Sequence, residues 1–326
     1  MAKSARQKLK LLYLRDILLR ESDENHPLNA PALIKRLKDH DIEAERKSIY
    51  NDIENLADYG MDLLKLDGRD GGYFVGSSDF ELAELKLLVD AVQSCRFITS
   101  RKSDQLIKKI SSLTNIYDEE KLKRQVYSVN RIKTQNESVF YAIDDINAAI
   151  LENKNINFLY MKWNSDKKLV PRRDGVKYHV TPIALIWDDE YYYLLALDLS
   201  DNKRKHFRVD KIKTVEKLEE RSERLKEKID IAGYSKKVFG MYGGKTESVS
   251  VRCPEDKVGI FIDRLGSDIS IFKEDNGKVR IHTEVQVSDA FFGWIASLGP
   301  DIVITGSEDV RKGYISFIKD QLNNYM

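Results

Sequence analysis

The chain has 326 residues, of which 42% are hydrophobic and 33% are charged, and its formal net charge is +1. This length predicts two or three domains, and this composition is typical of a soluble globular protein with an ample core. Because no apolar run approaches the ~20 residues of a membrane-spanning helix and the basic N-terminus lacks an apolar signal core, we expect no membrane partner and no secretion. The two cysteines are not spaced as metal ligands or as a redox pair, which favours the reducing cytoplasm as the compartment.

Three helical patterns occupy the first 60 residues. The first covers residues 5–20, and the second starts after Asn29, which is a typical N-cap. The third begins near Glu45 and stops at Gly60, with an apolar stripe at helical spacing formed by Ile49, Ile53 and Leu56. A predicted hairpin with a glycine-rich tip follows at residues 63–75. This order of elements is typical of a winged helix-turn-helix, which we assign to residues 1–77.

The outer face of the third helix carries long hydrogen-bonding side chains. A recognition helix needs such a face to reach base edges and phosphates, while a basic N-terminus and a wing tip suit phosphate or minor-groove contacts. The predicted DNA-binding residues are Lys3, Arg6, Arg46, Lys47, Ser48, Tyr50, Asn51 and Arg69. The alternative is a solvated helix face in a small structural module.

Residues 78–138 are predicted to be a helical connector. It opens with a capping box at Ser78-Asp79-Phe80-Glu81. Connectors with two apolar faces are commonly dimerisation elements or levers between domains, and both roles stay open here.

Residues 139–220 are predicted to form one helix followed by about five short strands, an order that matches a small Sm-like β-barrel. The clearest hairpin covers residues 191–212. On its second strand Phe207 and Val209 share the face that covers the core, while His206, Arg208 and Asp210 share the other.

Cationic and aromatic side chains in this barrel are candidates for a ligand site. Guanidinium groups pair with phosphate and aromatic rings stack on bases, so the set suits an anionic, nucleic-acid-like ligand. The predicted ligand-binding residues are Tyr160, Lys162, Arg172, Arg173, His179, Tyr193, His206 and Arg208. The alternative is that Arg172 and Arg173 form a solvated loop, Arg208 pairs with an acid such as Asp210, and the tyrosines belong to the core.

Residues 221–245 are highly charged, then rich in glycine and tyrosine, and are predicted to be a linker. Residues 246–326 follow a βαββαβ-like order with a closing helix, which predicts a ferredoxin-like α+β sandwich. The fold class is therefore α+β and multidomain.

Known catalytic and cofactor patterns do not emerge from the sequence. Gly240-x-x-Gly243-Gly244-Lys245-Thr246 resembles a phosphate-binding P-loop, but the required first glycine falls on Phe239 and the following pattern is that of a strand. The five histidines are scattered, without metal-ligand spacing. We therefore expect a non-enzymatic protein without a cofactor or a metal.

Four stretches carry a family resemblance. Tyr192-Tyr193-Leu194-x-Ala196 stands where the WYL-domain family of bacterial regulators has its Trp-Tyr-Leu signature, and the stretch from His206 to Ile212 matches its second hallmark. The third predicted helix is similar to that of DeoR-type winged helices, although that family often has Arg where Asn51 stands. Phe292-x-Trp294-Ile295-x-x-Leu298-Gly299 is similar to the C-terminal extension of WYL regulators.

The resemblance implies a cytoplasmic, homodimeric transcriptional regulator, in our interpretation a repressor. It would bind double-stranded DNA, sense an anionic or nucleic-acid-like ligand, and control phage-defence or stress genes. Two alternatives stay open: an accessory single-stranded nucleic-acid binder that modulates a partner enzyme, and a nucleotide-processing enzyme.

Overall fold

A computed structural model describes residues 7–68, 70–124, 133–222 and 230–326. The chain divides into two compact units, Met1–Lys133 and Thr134–Met326, each with its own packing. Within the described ranges, no helix combines the length and the apolar character needed to cross a membrane. The expectation of a mixed helix-and-strand, multidomain protein is confirmed.

The first unit begins with three helices packed around one core. They are α1 (Lys10–Glu21), α2 (Ala30–Asp39) and α3 (Arg46–Asp58). Asn29 caps α2 as predicted, because its side chain accepts a hydrogen bond from the Ala32 amide at 3.0 Å. The predicted inner stripe of α3 is also confirmed, since its three apolar residues are buried against α1 and α2.

The predicted hairpin after α3 is confirmed as β1 (Leu63–Leu66) paired with β2 (Gly72–Val75). Leu28 and Tyr73 exchange backbone hydrogen bonds of 2.8 and 2.9 Å, which attach β2 to the chain before α2. Gly72 permits this approach, because a Cβ there would lie 2.5 Å from the Leu28 carbonyl carbon. The hairpin is therefore fixed to the three-helix core.

Three further helices follow in the described part of this unit: α4 (Leu82–Ser94), α5 (Ser100–Ser111) and α6 (Ile116–Arg124). The predicted capping box at Ser78 is wrong. The reciprocal pair that opens α4 is formed by Glu81 and Glu84, three residues later, and the Ser78 hydroxyl donates to the Phe80 carbonyl instead. Glu81 takes the capping role because its carboxylate accepts from the first-turn amide.

The second unit opens with α7 (Val139–Leu151) and a curled antiparallel sheet. The strands are β3 (Lys154–Trp163), β4 (Leu169–Pro171), β5 (Tyr178–Asp188), β6 (Tyr191–Asp198), β7 (Lys203–Arg208) and β8 (Ile212–Arg221). The order is β4-β3-β5-β6-β7, and β8 pairs with β3. Phe158 lies at the centre, stacked on Tyr178 at 5.6 Å and edge-on to Phe207 at 5.1 Å.

The hairpin predicted at residues 191–212 is confirmed as β6 and β7, with Tyr193 opposite Arg208. Phe207 and Val209 are buried as expected. Asp210, which the alternation places on the charged face, is also buried. The face that carries His206, Arg208 and Asp210 is therefore only partly exposed to solvent.

Residues 230–244 contain a helix, α8 (Ile231–Lys237), followed by buried side chains, whereas a linker was expected over 221–245. Val238 and Met241 pack with Ile186 of β5 and Leu195 of β6. Because these apolar side chains are removed from water, this segment is attached to the curled sheet.

The last elements form a second antiparallel sheet with helices on one side. They are β9 (Lys245–Pro254), α9 (Val258–Leu265), β10 (Ser270–Lys273), β11 (Lys278–Val287), α10 (Asp289–Ser297), β12 (Val303–Gly306) and α11 (Glu308–Asn323). The strand order is β10-β11-β9-β12. Side chains from all three helices share one core with the inward residues of the sheet, among them Phe261, Phe291 and Val310.

Candidate functional site

The outer face of α3 presents polar side chains to solvent. Arg46, Lys47 and Asn51 are exposed. Nε of Arg46 donates to the Tyr50 hydroxyl at 2.9 Å, one helical turn away. Three of the predicted DNA-binding side chains are thus accessible on one helix face, and Tyr50 orients one of them.

Ser48 lies differently from its neighbours. Its hydroxyl accepts from Nζ of Lys10, and the same ammonium group lies 2.6 Å from the Asp52 carboxylate. Lys10 and Asp52 are each only 9% exposed. Ser48 is therefore already hydrogen-bonded to a side chain of α1 within the first unit. The other predicted contacts, Lys3, Arg6 and Arg69, lie outside the described residues.

A cleft of about 1090 Å³ lies in the second unit, between the curled sheet and the segment that follows α8. Cationic side chains dominate it: Lys162, Arg172, Arg173, Arg204, Lys205, Arg208 and Lys211. Among the described residues that line this cleft, none is Asp or Glu. Its lining therefore suits an anion.

Arg208 is held by two contacts at the centre of the cleft. Its Nε and one terminal nitrogen donate to the two oxygens of Asp210 at 3.0 and 2.8 Å. Its guanidinium carbon lies 3.5 Å from the centroid of the Tyr191 ring. Burial acts to lower the pKa of Arg208, but the hydrogen bonds and charge of Asp210 outweigh it and raise the pKa. Arg208 is therefore a fixed cation, in the pairing that the sequence left as an alternative.

A second pair of cations surrounds Asp198, which is fully buried. Its carboxylate accepts from Arg173 at 3.0 Å and from Lys205 at 2.7 Å. The Arg173 guanidinium also lies 4.0 Å from the centre of the Tyr178 ring. One buried carboxylate thus positions two cations at the cleft wall.

Lys162, Arg172 and Lys211 complete the cationic lining. Within the part of the chain that the structure describes, none of them forms an ion pair with a carboxylate. Burial lowers the pKa of Lys211, and the positive charge of Arg208 lowers it further. Lys211 therefore lies in a positive local field, which an anion would relieve.

Tyrosines form the aromatic part of the cleft. The Tyr160 hydroxyl accepts from the Arg208 amide at 3.1 Å, and burial raises its pKa. Burial also raises the pKa of Tyr193, to about 12. Both phenols are therefore protonated at neutral pH, and the mostly buried Tyr160 serves the core as well as the cleft.

The opposite wall comes from a region that the sequence did not associate with the site. The Tyr234 hydroxyl lies 3.2 Å from Nε2 of His206, and the Gly244 amide donates to the Gln286 side chain at 3.2 Å. Burial lowers the pKa of His206 to about 4, so this ring is neutral at pH 7. The glycine pair at residues 243–244 was the sequence signal that could have located this wall of the cleft. In the sequence this pair suggests only a P-loop, and a strand does follow it.

His179 is the predicted ligand residue that the structure places outside the cleft. Its Nε2 lies 3.3 Å from Glu220, while its neighbour Tyr178 lines the cleft. Alternation along β5 explains the difference, because successive side chains point to opposite faces of a sheet. The other seven predicted ligand residues are brought together.

This arrangement can bind an anion and stack a ring. Fixed guanidinium groups recognise phosphate or carboxylate in defined geometry, and ammonium groups add charge. The phenols and the neutral imidazole supply hydrogen bonds and aromatic surface.

A comparison with curated proteins gave no match. Among solved structures, the chain is similar to proteasome accessory factor B/C (PafBC) of Arthrobacter aurescens, with 17% identity over 96% of this chain and a TM-score of 0.28; it spans only 46% of that protein. It is also similar to a CRISPR Cas-related protein, with 16% identity over 99% of this chain and 86% of that one, and a TM-score of 0.37.

The family model of the WYL domain matches residues 141–217. These residues run from α7 to β8 and supply the seven cations of the cleft. The resemblance inferred from the sequence is confirmed over residues 141–217, where the chain is similar to the WYL domain.

Proposed function

We propose that this protein is a cytoplasmic, homodimeric transcriptional regulator that binds double-stranded DNA and senses an anionic, nucleic-acid-like ligand. We propose that it acts as a repressor of phage-defence or stress genes and has no enzymatic activity. The observation that carries the sensing role is the cleft itself, where seven cations gather and no carboxylate is present among the described lining residues.

The ligand role depends on how the cations are held. Asp210 occupies only part of the Arg208 fork, because a guanidinium has five N–H donors. Arg208 and Arg172 both lie close enough to Lys211 for their charges to lower its pKa, and neither Arg172 nor Lys211 forms an ion pair in the described part of the chain. A phosphate bound among these three groups would gain charge-assisted hydrogen bonds without displacing Asp210.

The DNA-binding role depends on α3. Its inner stripe is packed, so its backbone position is fixed, while Arg46, Lys47 and Asn51 remain exposed. Arg and Asn can form bidentate contacts with guanine and adenine, respectively. Helix, helix, helix and hairpin support a winged helix-turn-helix in residues 1–77.

The remaining domain assignments are part of the same proposal. We assign residues 78–138 to a helical connector, 139–220 to an Sm-like barrel and 246–326 to a ferredoxin-like domain. The strand order β12-β9-β11-β10, with all neighbours antiparallel, supports the last assignment. It contains two split βαβ units, because β11 lies between β9 and β10, and β9 lies between β11 and β12. Ligand binding would change DNA binding only if the ligand prefers one of two arrangements of the regulator.

The test begins with recovery of the genomic fragments that the purified protein binds. On the recovered duplex, Arg46→Ala and Lys47→Ala should each weaken binding, and loss of a base contact costs about 1–3 kcal/mol. Lys109→Ala on α5 removes the same charge from an exposed position and should leave affinity unchanged. Equal affinity of Arg46→Ala and the unaltered protein would contradict this placement of the DNA.

The sensing role is tested separately with short 5′-phosphorylated oligonucleotides as the probe. Lys211→Glu should abolish probe binding and leave the affinity for the operator duplex unchanged when no probe is added. A variant that still binds the probe with full affinity would exclude the cleft as its site.

A further inference from the structure

The sheet of β9 to β12 has one side that the helices do not cover. We call this side the open sheet face and define it by Ser248, Ser250, Arg252, Phe272, Arg280 and His282. The inward residues that alternate with these are buried under α9, α10 and α11. Exposed side chains are a normal feature of a sheet that packs on one side only. Glu284 of β11 also points to this side and is paired with Lys237 at 2.7 Å.

One cross-strand row brings two like charges together. Arg280 of β11 lies directly opposite Arg252 of β9, and Phe272 of β10 lies on the other side of Arg280. Like charges directly opposite each other on one face destabilise a sheet. Glu274 binds Arg280 at 2.7 Å, whereas Arg252 forms no ion pair within the described ranges. The row therefore has an unbalanced positive charge that an anion would neutralise.

The next row holds an exposed histidine whose ring nitrogens are both occupied. Nε2 lies 3.0 Å from the Ser248 hydroxyl, and Nδ1 lies 3.1 Å from the Ser250 hydroxyl. Because the two contacts lie in the ring plane, they fix the orientation of His282 and leave its ring face as the surface for a partner. A fixed, exposed aromatic ring suits stacking more than metal binding or proton transfer.

Phe272 supplies a second ring. It is 57% exposed, although phenylalanine is usually buried. It lies diagonally from His282 across neighbouring strands, where side chains are about 7–8 Å apart. Two exposed rings with a positive row beside them form a surface that can take two bases and the phosphate that joins them.

We propose that the open sheet face binds single-stranded nucleic acid. Two unpaired bases stack on His282 and Phe272, and the phosphate between them lies at Arg252 and Arg280. Four-stranded sheets with aromatic residues on the uncovered face bind single strands in this way, and stacking requires bases whose faces are free, which excludes a duplex. None of the six residues that define this face lines the cleft, although Thr246 and Gln286, farther along β9 and β11, do. The proposal goes beyond the proposed regulation of duplex DNA.

The test uses the full chain with Lys211→Glu as the background, so that the cleft does not contribute. Fluorescent oligothymidylate and oligouridylate are titrated by anisotropy at about 50 and about 200 mM salt, which separates DNA from RNA as the source. His282→Ala and Phe272→Ala should each weaken binding roughly tenfold, since stacking on one ring has this order of effect. His282→Phe should restore most of the affinity because it keeps a ring.

Charge is tested with a matched pair of variants. Arg252→Glu should weaken binding and flatten its salt dependence, while Lys319→Glu, the same change on exposed α11, should not. Equal binding by all of these variants, or no single-strand binding at low salt, would overturn the proposal and leave the cleft assignment intact. The proposal also fails if Arg252→Glu and His282→Ala change the sedimentation of the protein without changing oligonucleotide affinity, because the face would then be a subunit interface.

Discussion

Replacing Asp198 by Asn should destabilise the second unit. The Asp198 side chain is fully buried and accepts hydrogen bonds from Arg173, Lys205 and both the amide and the hydroxyl of Ser200, at 2.6–3.0 Å. Asn keeps the shape but removes the charge that two cations share. Breaking a buried ion pair by removing one partner costs about 3–5 kcal/mol.

The expected loss of stability is smaller than this, because the two cations are partly exposed to solvent. Arg173 and Lys205 side chains are 36% and 28% exposed, so water can solvate them in part after the change. We therefore expect a loss of about 2–3 kcal/mol in the free energy of unfolding. Asp201→Asn is the matched control, because this carboxylate binds the same Lys205 but is 38% exposed, and its loss should cost under about 1 kcal/mol.

Tryptophan fluorescence gives an assay that reports this unit alone. Trp163, Trp187 and Trp294, the three tryptophans of the chain, all lie in Thr134–Met326. With a urea dependence of about 2–3 kcal/mol per molar, Asp198→Asn should lower the unfolding midpoint by about 1 M at pH 7. Equal midpoints for Asp198→Asn and Asp201→Asn would refute the reasoning.

Acid provides a second check on the same residue. Burial acts to raise the pKa of Asp198, but hydrogen bonds from Lys205 and Ser200 outweigh it and hold the pKa well below its usual range. Its stabilisation is thus present above the unfolded pKa of about 3.9 and is lost as the pH falls toward the folded pKa. The difference in the free energy of unfolding between the unaltered protein and Asp198→Asn should therefore decrease below about pH 4. A difference that stays constant with pH would contradict the assignment.

Three further predictions concern other buried or fixed groups. Lys10→Met leaves Asp52 buried without its partner, and should lower the free energy of unfolding of the first unit by about 3–5 kcal/mol, measured by far-UV circular dichroism. Arg208→Lys keeps a charge but loses the two-point pairing and the stacking on Tyr191, and should weaken oligonucleotide binding in the cleft roughly tenfold. Because burial lowers the pKa of His206 to about 4, the protein should lose about 2–3 kcal/mol of stability as the pH falls from about 6.5 to 4, and His206→Phe should abolish this loss in the fluorescence assay.

Local patterns predicted much of the fold. The stripe of α3, the Asn29 cap and the β6–β7 hairpin follow from periodicity and turn chemistry, which act over a few residues. The capping box was displaced because Ser78 and Glu81 both offer a side chain to the start of the same helix. Which of two neighbouring side chains caps a helix depends on the local backbone geometry, and this geometry cannot be read from the sequence.

The site was predictable only on the side formed by the curled sheet. Arg208 was found because it lies in a recognisable hairpin, and the structure shows that its pairing with Asp210 and its place in the cleft are compatible. Tyr234 and Gln286 were missed because they reach His206 and Gly244 through contacts between distant parts of the chain. No periodic pattern carries such information.

The buried Lys10 contact affects how α3 would meet a partner. Since Lys10 of α1 holds Ser48 in the first turn of α3 and Asp52 in the turn that follows, the first turn is already immobilised in the free protein. Little conformational entropy then remains to be lost at this turn during association. If α3 binds duplex DNA as proposed, more of the contact energy is available to distinguish one DNA sequence from another, because a helix that is already fixed does not adapt to a poorly fitting site.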